Sequence, residues 1–370
     1  MMIWRRAAPL LAIMLVLVSC GGAPQGTTQT GSPTASEQGS QEAYTYESDW
    51  GTFTLDPEIQ ARVQDKIANG EPLDIPVFSW VTGNIFFNPI RQGVEDAAEE
   101  FGTTSQLLGP ADPDQPQMIA DIESYLSRNP DGIAVIPQNA AELQGIVDRL
   151  VEDGIPVVVY NTEMAEGAKR LVYVGQDNRK AGEEAGNLLV AKLEEQGITE
   201  GTVAMFAVDA AAAYSSELRF PGFIDAVSAA LPDIEFAEPV TIGNDPSAAV
   251  GAVDAAVRGQ EDVVGIYVAD EQVLAAGTWV RENADPDDYV VIGHNHLPPE
   301  LELVASGEID GLIGQNPYDQ GYQSVEWLQA FLITGEAPCG VVCDTGYPVV
   351  DSAEQAQEML DTECGGQGCG

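Results

Sequence analysis

Short β-rich runs alternate with amphipathic stretches through most of this chain, and that alternation restricts its fold more than any other feature does. Amphipathic stretches such as residues 139–154 and 178–197 repeat apolar side chains every three to four positions, as helices do. Strands and helices in alternation indicate βαβ units, which build parallel sheets with helices on both faces. The predicted strands are residues 74–81, 104–109, 132–137, 155–160, 171–175, 202–208, 235–242, 263–269, 289–294 and 310–315.

This number of strands exceeds the five or six of an average sheet. A chain of 370 residues with 44% apolar content can bury one large core or two medium ones. The sequence therefore predicts an α/β fold made of two similar, doubly wound parallel-sheet lobes.

Ligands of open parallel sheets bind beyond the carboxyl ends of the strands, so the residues that follow each predicted strand are candidate contacts. Amides dominate this set, which comprises Asn84, Phe86, Phe87, Gln138, Asn139, Asn161, Thr162, Gln176, Asp177, Asp209, Asn244, Asp245, Asp270, Glu271, Asn295, His296, Gln315 and Asn316. Each polar residue alone could instead form a turn or cap a helix. Because amides donate and accept hydrogen bonds without charge, their repetition on one edge favours a neutral, polyhydroxylated ligand.

Two adjacent aromatic residues, Phe86 and Phe87, stand where a strand-to-helix turn usually has small residues. We expect both rings to offer flat apolar faces to this ligand, with Asn84 bonding a hydroxyl. The alternative is that at least one ring belongs to the core and closes the top of the sheet.

The charge balance excludes one broad class of function. Asp and Glu number 59 against 15 Lys and Arg, a formal net charge of −44, whereas nucleic-acid binding requires clustered basic residues. A solvated acidic surface, suited to high salt or low external pH, is the expected role of these acids. No acidic spacing typical of a calcium-binding loop occurs.

Catalytic motifs are missing as well. The sequence contains no G-x-S-x-G, H-E-x-x-H or Walker motif. Its two histidines, His294 and His296, would point to opposite sides of a continuing strand, which is poor geometry for a shared metal ion. We therefore predict no catalytic residues, no cofactor and no metal.

The amino terminus has the features of an export signal. Arg5 and Arg6 precede an apolar run, residues 7–18, that is too short to span a membrane. Residues 17–20, "LVSC", resemble a lipobox. This resemblance implies cleavage of a signal peptide, residues 1–19, and acylation of Cys20. Residues 20–70 are predicted to be a lipidated flexible tether, because their first part nearly lacks large apolar side chains.

Four further cysteines, Cys339, Cys343, Cys364 and Cys369, lie near the carboxyl terminus. In an exported protein an even number suggests disulfides, and the short spacings favour Cys339 with Cys343 and Cys364 with Cys369. Three connectivities are open to four cysteines, and a four-cysteine zinc site is a further alternative.

From about residue 74 to 350 the chain resembles type I periplasmic sugar-binding proteins, the ribose/galactose-binding-like substrate receptors of ABC importers. The similar stretches follow the family's order and are residues 83–102, 129–162, 173–186, 265–280, 290–295 and 309–328. The first of them resembles the family's N-x-F-F turn and first helix. The others are similar to its later strands, strand tips and crossings between lobes.

This resemblance implies a ligand site whose contacts come from strand tips of both lobes. The implied ligand-binding residues are Asn84, Phe86, Phe87, Asn161, Thr162, Arg219, Asn295 and Gln315, and Asp270 is included as a tip residue. Ribose binders usually have Asp followed by Arg at positions 161 and 162, commonly an aspartate at 295, and an amide at Ala269. These departures remove charge from the implied pocket but keep hydrogen-bonding capacity at three tips, which favours a neutral sugar or polyol other than ribose.

The resemblance also implies how the chain is divided and what it does. Residues 74–177 and 317–345 would form the first lobe, and residues 178–316 and 346–370 the second, joined by a multi-strand hinge. The implied protein is a monomeric, non-enzymatic receptor outside the cytoplasm. It would be held to the membrane by its lipid and would deliver sugar to an ABC permease. A sensory sugar or autoinducer receptor and an anchored enzyme are the alternatives.

Overall fold

The alternation of strands and helices is present in the computed structural model, which describes residues 43–363 except 166, 211 and 213. The strands are β1 (Thr45–Ser48), β2 (Gly51–Thr54), β3 (Val77–Phe78), β4 (Leu107–Leu108), β5 (Ile133–Val135), β6 (Val157–Tyr160), β7 (Val172–Gly175), β8 (Glu200–Ala207), β9 (Asp233–Phe236), β10 (Val240–Thr241), β11 (Val263–Val268), β12 (Val290–His294), β13 (Gly311–Ile313), β14 (Val342–Asp344) and β15 (Val349–Val350). The helices are α1 (Pro57–Asn69), α2 (Phe87–Phe101), α3 (Gln115–Tyr125), α4 (Ala140–Glu152), α5 (Asn178–Gln196), α6 (Phe220–Ala230), α7 (Pro246–Arg258), α8 (Val273–Asn283), α9 (Pro298–Ser306), α10 (Pro317–Thr334) and α11 (Ala353–Glu363).

The first lobe is built on a six-stranded parallel sheet with the order β14-β7-β6-β5-β3-β4. Its central strands consist largely of β-branched residues, and every residue of β5, β6 and β7 is buried. Strands buried on both faces read as continuous apolar runs, which is why the sequence revealed them.

The second lobe repeats this arrangement, with the order β10-β8-β11-β12-β13-β15 and with β9 beside the first half of β8. In each lobe the first strand lies between the second and the third, which is the doubly wound order. The predicted α/β fold with two doubly wound lobes is therefore confirmed. One strand departs from the parallel pattern, because β15 pairs antiparallel to β13.

Three short stretches carry the chain between the lobes, at residues 176–177, 314–316 and 345–348. Side-chain amides bond these stretches to one another: Gln176 Nε2 donates to the main-chain oxygen of Gly314 (2.7 Å), and Asn316 Nδ2 donates to that of Thr345 (2.6 Å). The hinge is thus a small hydrogen-bonded unit that links all three crossings.

Helix α10 returns to the first lobe after the second crossing and packs along α2. Two glycines allow the close approach: a Cβ atom on Gly93 would lie 2.1 Å from the carbonyl oxygen of Tyr318, and one on Gly321 would lie 2.3 Å from that of Ile90. This packing fixes the first turns of α10 against the first half of α2.

The predicted tether, residues 20–70, is wrong from residue 43 onward, because that part forms β1, β2 and α1 on the first lobe. Phe53, Leu55, Ile59 and Val63 are buried in the core of this lobe, and Asp56 caps α1 through the backbone N–H groups of its first turn. The apolar side chains that order this segment follow the polar stretch on which the tether prediction was based. The earlier part of that prediction lies outside the described residues.

The carboxyl-terminal end of the predicted strand at residues 235–242 is also corrected, since the structure has two short strands, β9 and β10, with a break before Pro239. Proline has no N–H to donate to a neighbouring strand, so the pairing is interrupted there. The strands β14 and β15 and the helix α11 were not predicted from the sequence. The two strands contain only two or three residues each, too few to show a periodic pattern.

Cys339 and Cys343 face each other beside β14, with Cα atoms 5.6 Å apart, a separation that suits a disulfide. Cys364, Cys369, Cys20 and the predicted signal peptide lie outside the described residues. Among residues 43–363, no helix combines the length and the apolar composition needed to cross a membrane.

Candidate functional site

A chain of hydrogen-bonded amides runs between the two lobes at the carboxyl ends of their strands. In the crossing before α10, Gln315 accepts at Oε1 from Asn161 Nδ2 of the first lobe (3.1 Å) and donates from Nε2 to Asn295 Oδ1 of the second lobe (2.9 Å). The structure therefore brings together three of the predicted ligand-binding residues. Thr162 joins them, because its hydroxyl donates to Asn161 Oδ1 (3.2 Å).

The two asparagines occupy matching places, directly after β6 and β12, each the third strand of its sheet counted from β14 or β15, and both have left-handed backbone conformations. The φ angle is 61° at Asn161 and 73° at Asn295. Asparagine is one of the few residues other than glycine that adopts this region readily. Each asparagine thus turns the chain sharply at the strand end, and the turn directs its amide toward Gln315.

Arg219, which precedes α6, is 5% exposed and is bound to the hinge. Its guanidinium donates to Gln176 Oε1 (3.0 Å), to Asn178 Oδ1 (2.9 Å) and to the main-chain oxygen of Ala269. The predicted ligand-binding arginine therefore also fixes the first crossing against the tip of β11.

Asp270 is 3% exposed, and its carboxylate ties two strand tips together. One oxygen accepts from the backbone N–H of Val208 (2.6 Å) and the other from that of Gln272 (3.1 Å). Burial, reinforced by the neighbouring charge of Glu271, raises the pKa of Asp270 to about 7. The contacts assign this residue a role in shaping the loop after β11.

The turn that contains Asn84 separates the two phenylalanines. Phe87 is 3% exposed and lies in the core, packed edge-to-face against Trp80 (6.1 Å between centroids) and Phe86 (5.5 Å). Phe86 is half-buried, and Asn84 Oδ1 accepts from its backbone N–H (2.9 Å). The packing of Phe87 is that of a core residue, as the alternative expects, and a contact of its ring with a ligand stays a prediction.

The sequence contained a signal for this difference. Phe87 begins α2, and the buried residues Phe87, Ile90, Val94 and Ala97 follow one another at intervals of three and four. Extending the helical period back by one turn would have placed Phe87 on the inward face. Phe86 lies one position outside this stripe.

The tips of β3 and β4 enclose a cavity of about 340 Å³ next to Asn84, lined by Trp80, Val81, Gly83, Asn84, Ala111, Asp112 and Pro113. The backbone N–H groups of Thr82 and Gly83 donate to the carbonyl oxygens of Pro110 (2.8 Å) and Ala111 (3.0 Å), which joins the two tips. This concave surface belongs to the first lobe, on the side of the sheet where the amide chain begins. A larger concavity, about 600 Å³, lies in the second lobe beside α6 and is mostly apolar.

Two further buried glutamines hold residues of the site in place by hydrogen bonds. They were not predicted as ligand contacts. Gln320 in α10 bonds both Asn161 and Gln315, at 2.9 and 3.3 Å. Gln115 in α3 accepts at Oε1 from the backbone N–H groups of Gln138 and Asn139. Both residues belong to helices, so they are not among the residues that directly follow the predicted strands.

The two histidines have separate surroundings. His294 is fully buried and bonds the hydroxyl of Tyr267 through Nε2 (2.9 Å), and burial holds its pKa well below the usual range. His296 lies beside the second crossing, near Gly314. In the part of the chain that the structure describes, no group of His, Cys, Asp or Glu is arranged to hold a metal ion.

The sequence and the fold of this chain are similar to those of known proteins. Residues 75–337 match the family described as "Periplasmic binding protein domain". The xylose/arabinose-binding protein XylF of Sulfolobus acidocaldarius is 24% identical over 295 residues, which are 76% of this chain and 71% of that protein.

Solved structures give the same picture of the fold. A sugar-binding protein of a sugar ABC transporter from Bacillus halodurans has a TM-score of 0.69 at 23% identity, and the match covers 77% of this chain and 99% of that one. A carbohydrate transporter solute-binding protein from Agrobacterium radiobacter, solved in complex with D-arabinose, has a TM-score of 0.70 at 22% identity, over 79% of this chain and 98% of that one.

Proposed function

Because the chain belongs to the periplasmic binding protein family, we propose that it binds a neutral sugar or polyol between its two lobes. The observation that carries this proposal is the amide chain from Asn161 through Gln315 to Asn295, which connects the strand tips of both lobes. A sugar hydroxyl can donate to an amide oxygen or accept from an amide N–H that has no other partner. A ligand held there contacts both lobes and the hinge together.

The proposed contacts divide into a flat apolar surface and a polar set. Phe86, as the more exposed ring, covers one face of the sugar, while Asn84, Asn161, Thr162, Asn295 and Gln315 bond its hydroxyls. Arg219 and Asp270, both buried, are proposed as further contacts of the ligand. The similarity to a xylose/arabinose-binding protein and to a solute-binding protein solved with D-arabinose supports a pentose or a similar small sugar as the ligand.

We further propose that the protein works outside the cytoplasm and hands its sugar to an ABC permease. The similarity to a sugar-binding protein of an ABC transporter supports this role. Acylation at Cys20 would keep the receptor at the membrane, and a disulfide between Cys339 and Cys343 would suit an oxidising compartment. Ligand-induced closure of the lobes is the signal that a permease would recognise, because a ligand that contacts both lobes favours the closed form.

A thermal-shift screen tests the proposal with the full chain. Pentoses, hexoses and polyols are added singly, and a ligand at 100 times its Kd should stabilise the fold by about 2.7 kcal/mol. Calorimetry on the best sugar then compares the wild type with Asn295→Gly, which keeps the left-handed turn but removes the amide, and with Glu99→Ala, at an exposed position of α2. The affinity should be lower in Asn295→Gly and unchanged in Glu99→Ala. Stabilisation by a carboxylate or a nucleoside, with none by any sugar or polyol, would overturn the proposal.

A further inference from the structure

Helix α10 contributes the buried carboxamide of Gln320 to the amide chain that links Asn161, Gln315 and Asn295. The side chain of Gln320 is 0% exposed, in a helix whose inward residues include Val325 and Leu328. Its Oε1 accepts from Asn161 Nδ2 (2.9 Å), and its Nε2 donates to Gln315 Oε1 (3.3 Å). Burying a carboxamide is unfavourable unless it is hydrogen-bonded, so the presence of glutamine here depends on these two contacts.

These contacts determine what Asn161 can offer to a ligand. Its Nδ2 has two N–H groups, and both are directed at protein oxygens, Gln320 Oε1 (2.9 Å) and Gln315 Oε1 (3.1 Å). Its Oδ1 accepts from the hydroxyl of Thr162, and a carboxamide oxygen can accept a second bond. Asn161 is therefore able to accept from a ligand hydroxyl, while its donors are already engaged.

We propose that Gln320 is a positioning residue, which holds the Asn161 carboxamide in one orientation so that a sugar hydroxyl meets its oxygen and not its nitrogen. This inference rests on the proposed function, since it concerns the same cleft. Without Gln320, one N–H of Asn161 loses its partner, and only the bond to Gln315 Oε1 still opposes rotation of the amide by half a turn. The preference of the site for a hydroxyl that donates at this point is then weaker.

The first test is Gln320→Met, which keeps the side-chain volume but removes both hydrogen bonds. For the best sugar of the screen, calorimetry should show an affinity about tenfold lower, as expected for one compromised hydrogen bond. The matched control is Ser324→Ala. Ser324 is also fully buried, and its hydroxyl bonds the main-chain oxygen of Gln320 (2.6 Å) instead of the carboxamide, so the affinity should stay unchanged.

A double-mutant cycle with Asn161→Asp separates positioning from general damage to the fold. A carboxylate has only acceptor oxygens, so its two orientations are equivalent and need no partner to distinguish them. In that background, Gln320→Met should leave the affinity unchanged or raise it, because it removes an oxygen that faces the new carboxylate. Equal losses in both backgrounds would overturn the positioning role.

A measurement without ligand keeps this inference separable from the proposed function. In ¹H–¹⁵N spectra, the side-chain NH₂ of Asn161, assigned by its loss in Asn161→Asp, should exchange slowly in the wild type and in Ser324→Ala. It should exchange at least several times faster in Gln320→Met. If no sugar binds the wild type, the proposed function fails, and equal exchange rates in wild type and Gln320→Met would overturn the positioning role in either case.

Discussion

Single residues at equivalent strand ends define the candidate site. Asn161 and Asn295 combine a left-handed backbone, at φ angles of 61° and 73°, with amides that converge on Gln315. Any residue with a Cβ is disfavoured in this conformation, and asparagine is disfavoured least. The same residue type therefore meets a backbone requirement and a binding requirement at each tip.

The two adjacent phenylalanines should separate in mutational tests, since one contacts the core and the other is half-buried at the turn. Phe87→Ala should lower the free energy of unfolding by about 3–5 kcal/mol, because it leaves a cavity in a packed core. Phe86→Ala should affect the stability less and weaken sugar binding, because it removes the stacking surface. Denaturant unfolding and calorimetry on both variants measure the two effects. A larger loss of affinity than of stability in Phe87→Ala would reverse this assignment.

Whole elements show what local patterns can and cannot predict. The parallel strands β5, β6 and β7 were predictable because burial on both faces requires continuous apolar runs. The β1–β2 hairpin and α1 were missed because their order depends on distant contacts. Trp50 Nε1, for example, donates to the main-chain oxygen of Arg170 (2.6 Å).

Helix α1 is held to the first lobe by the buried carboxylate of Asp131, a residue that is also far from α1 in the sequence. Asp131 is 0% exposed and bonds Arg62 Nε (3.0 Å), Lys66 Nζ (2.5 Å) and the backbone N–H of Asp74 (2.8 Å). Its two cationic partners are both on α1 and are partly exposed. The carboxylate thus connects α1 to the start of the segment that leads into β3.

Asp131→Ala should therefore lower the free energy of unfolding by about 3 kcal/mol, since it removes the shared partner of two cations and leaves the backbone N–H of Asp74 without this bond. Asp65→Ala is the matched control, because this exposed residue of the same helix should change stability by no more than about 0.5 kcal/mol. Urea unfolding monitored by tryptophan fluorescence provides the comparison. Equal midpoints for the two variants would show that α1 is not held by this ion pair.

At the scale of the whole molecule, sequence periodicity was sufficient to predict two lobes but not to predict the contacts between them. The chain passes between the lobes three times, and the hinge bonds Gln176 to Gly314 across 138 positions of sequence. A local pattern carries no information on such a pairing. For the same reason, the strand-tip residues could be named as candidates, whereas Gln320, inside α10, emerged only from the folded arrangement.

Buried acids in the second lobe connect the stability of the whole molecule to pH. Glu300 is 3% exposed, and burial, with a contribution from the charge of Glu271, raises its pKa to about 8. A carboxyl group whose pKa is higher in the folded than in the unfolded chain stabilises the fold most below its unfolded pKa. That stabilisation is lost as the pH rises through the folded pKa.

Glu300→Gln should accordingly make the protein less sensitive to alkaline pH. Between about pH 6 and pH 9, the wild type should lose on the order of 2 kcal/mol through this residue, and the glutamine variant should not lose that part. A residual loss remains in both, because the pKa of Asp270 is raised to about 7. Glu302→Gln, on the exposed face of the same helix, is the control and should follow the wild type. Urea titrations at the two pH values measure the difference, and an unchanged pH dependence in Glu300→Gln would show that Glu300 is ionised in the folded protein throughout this range.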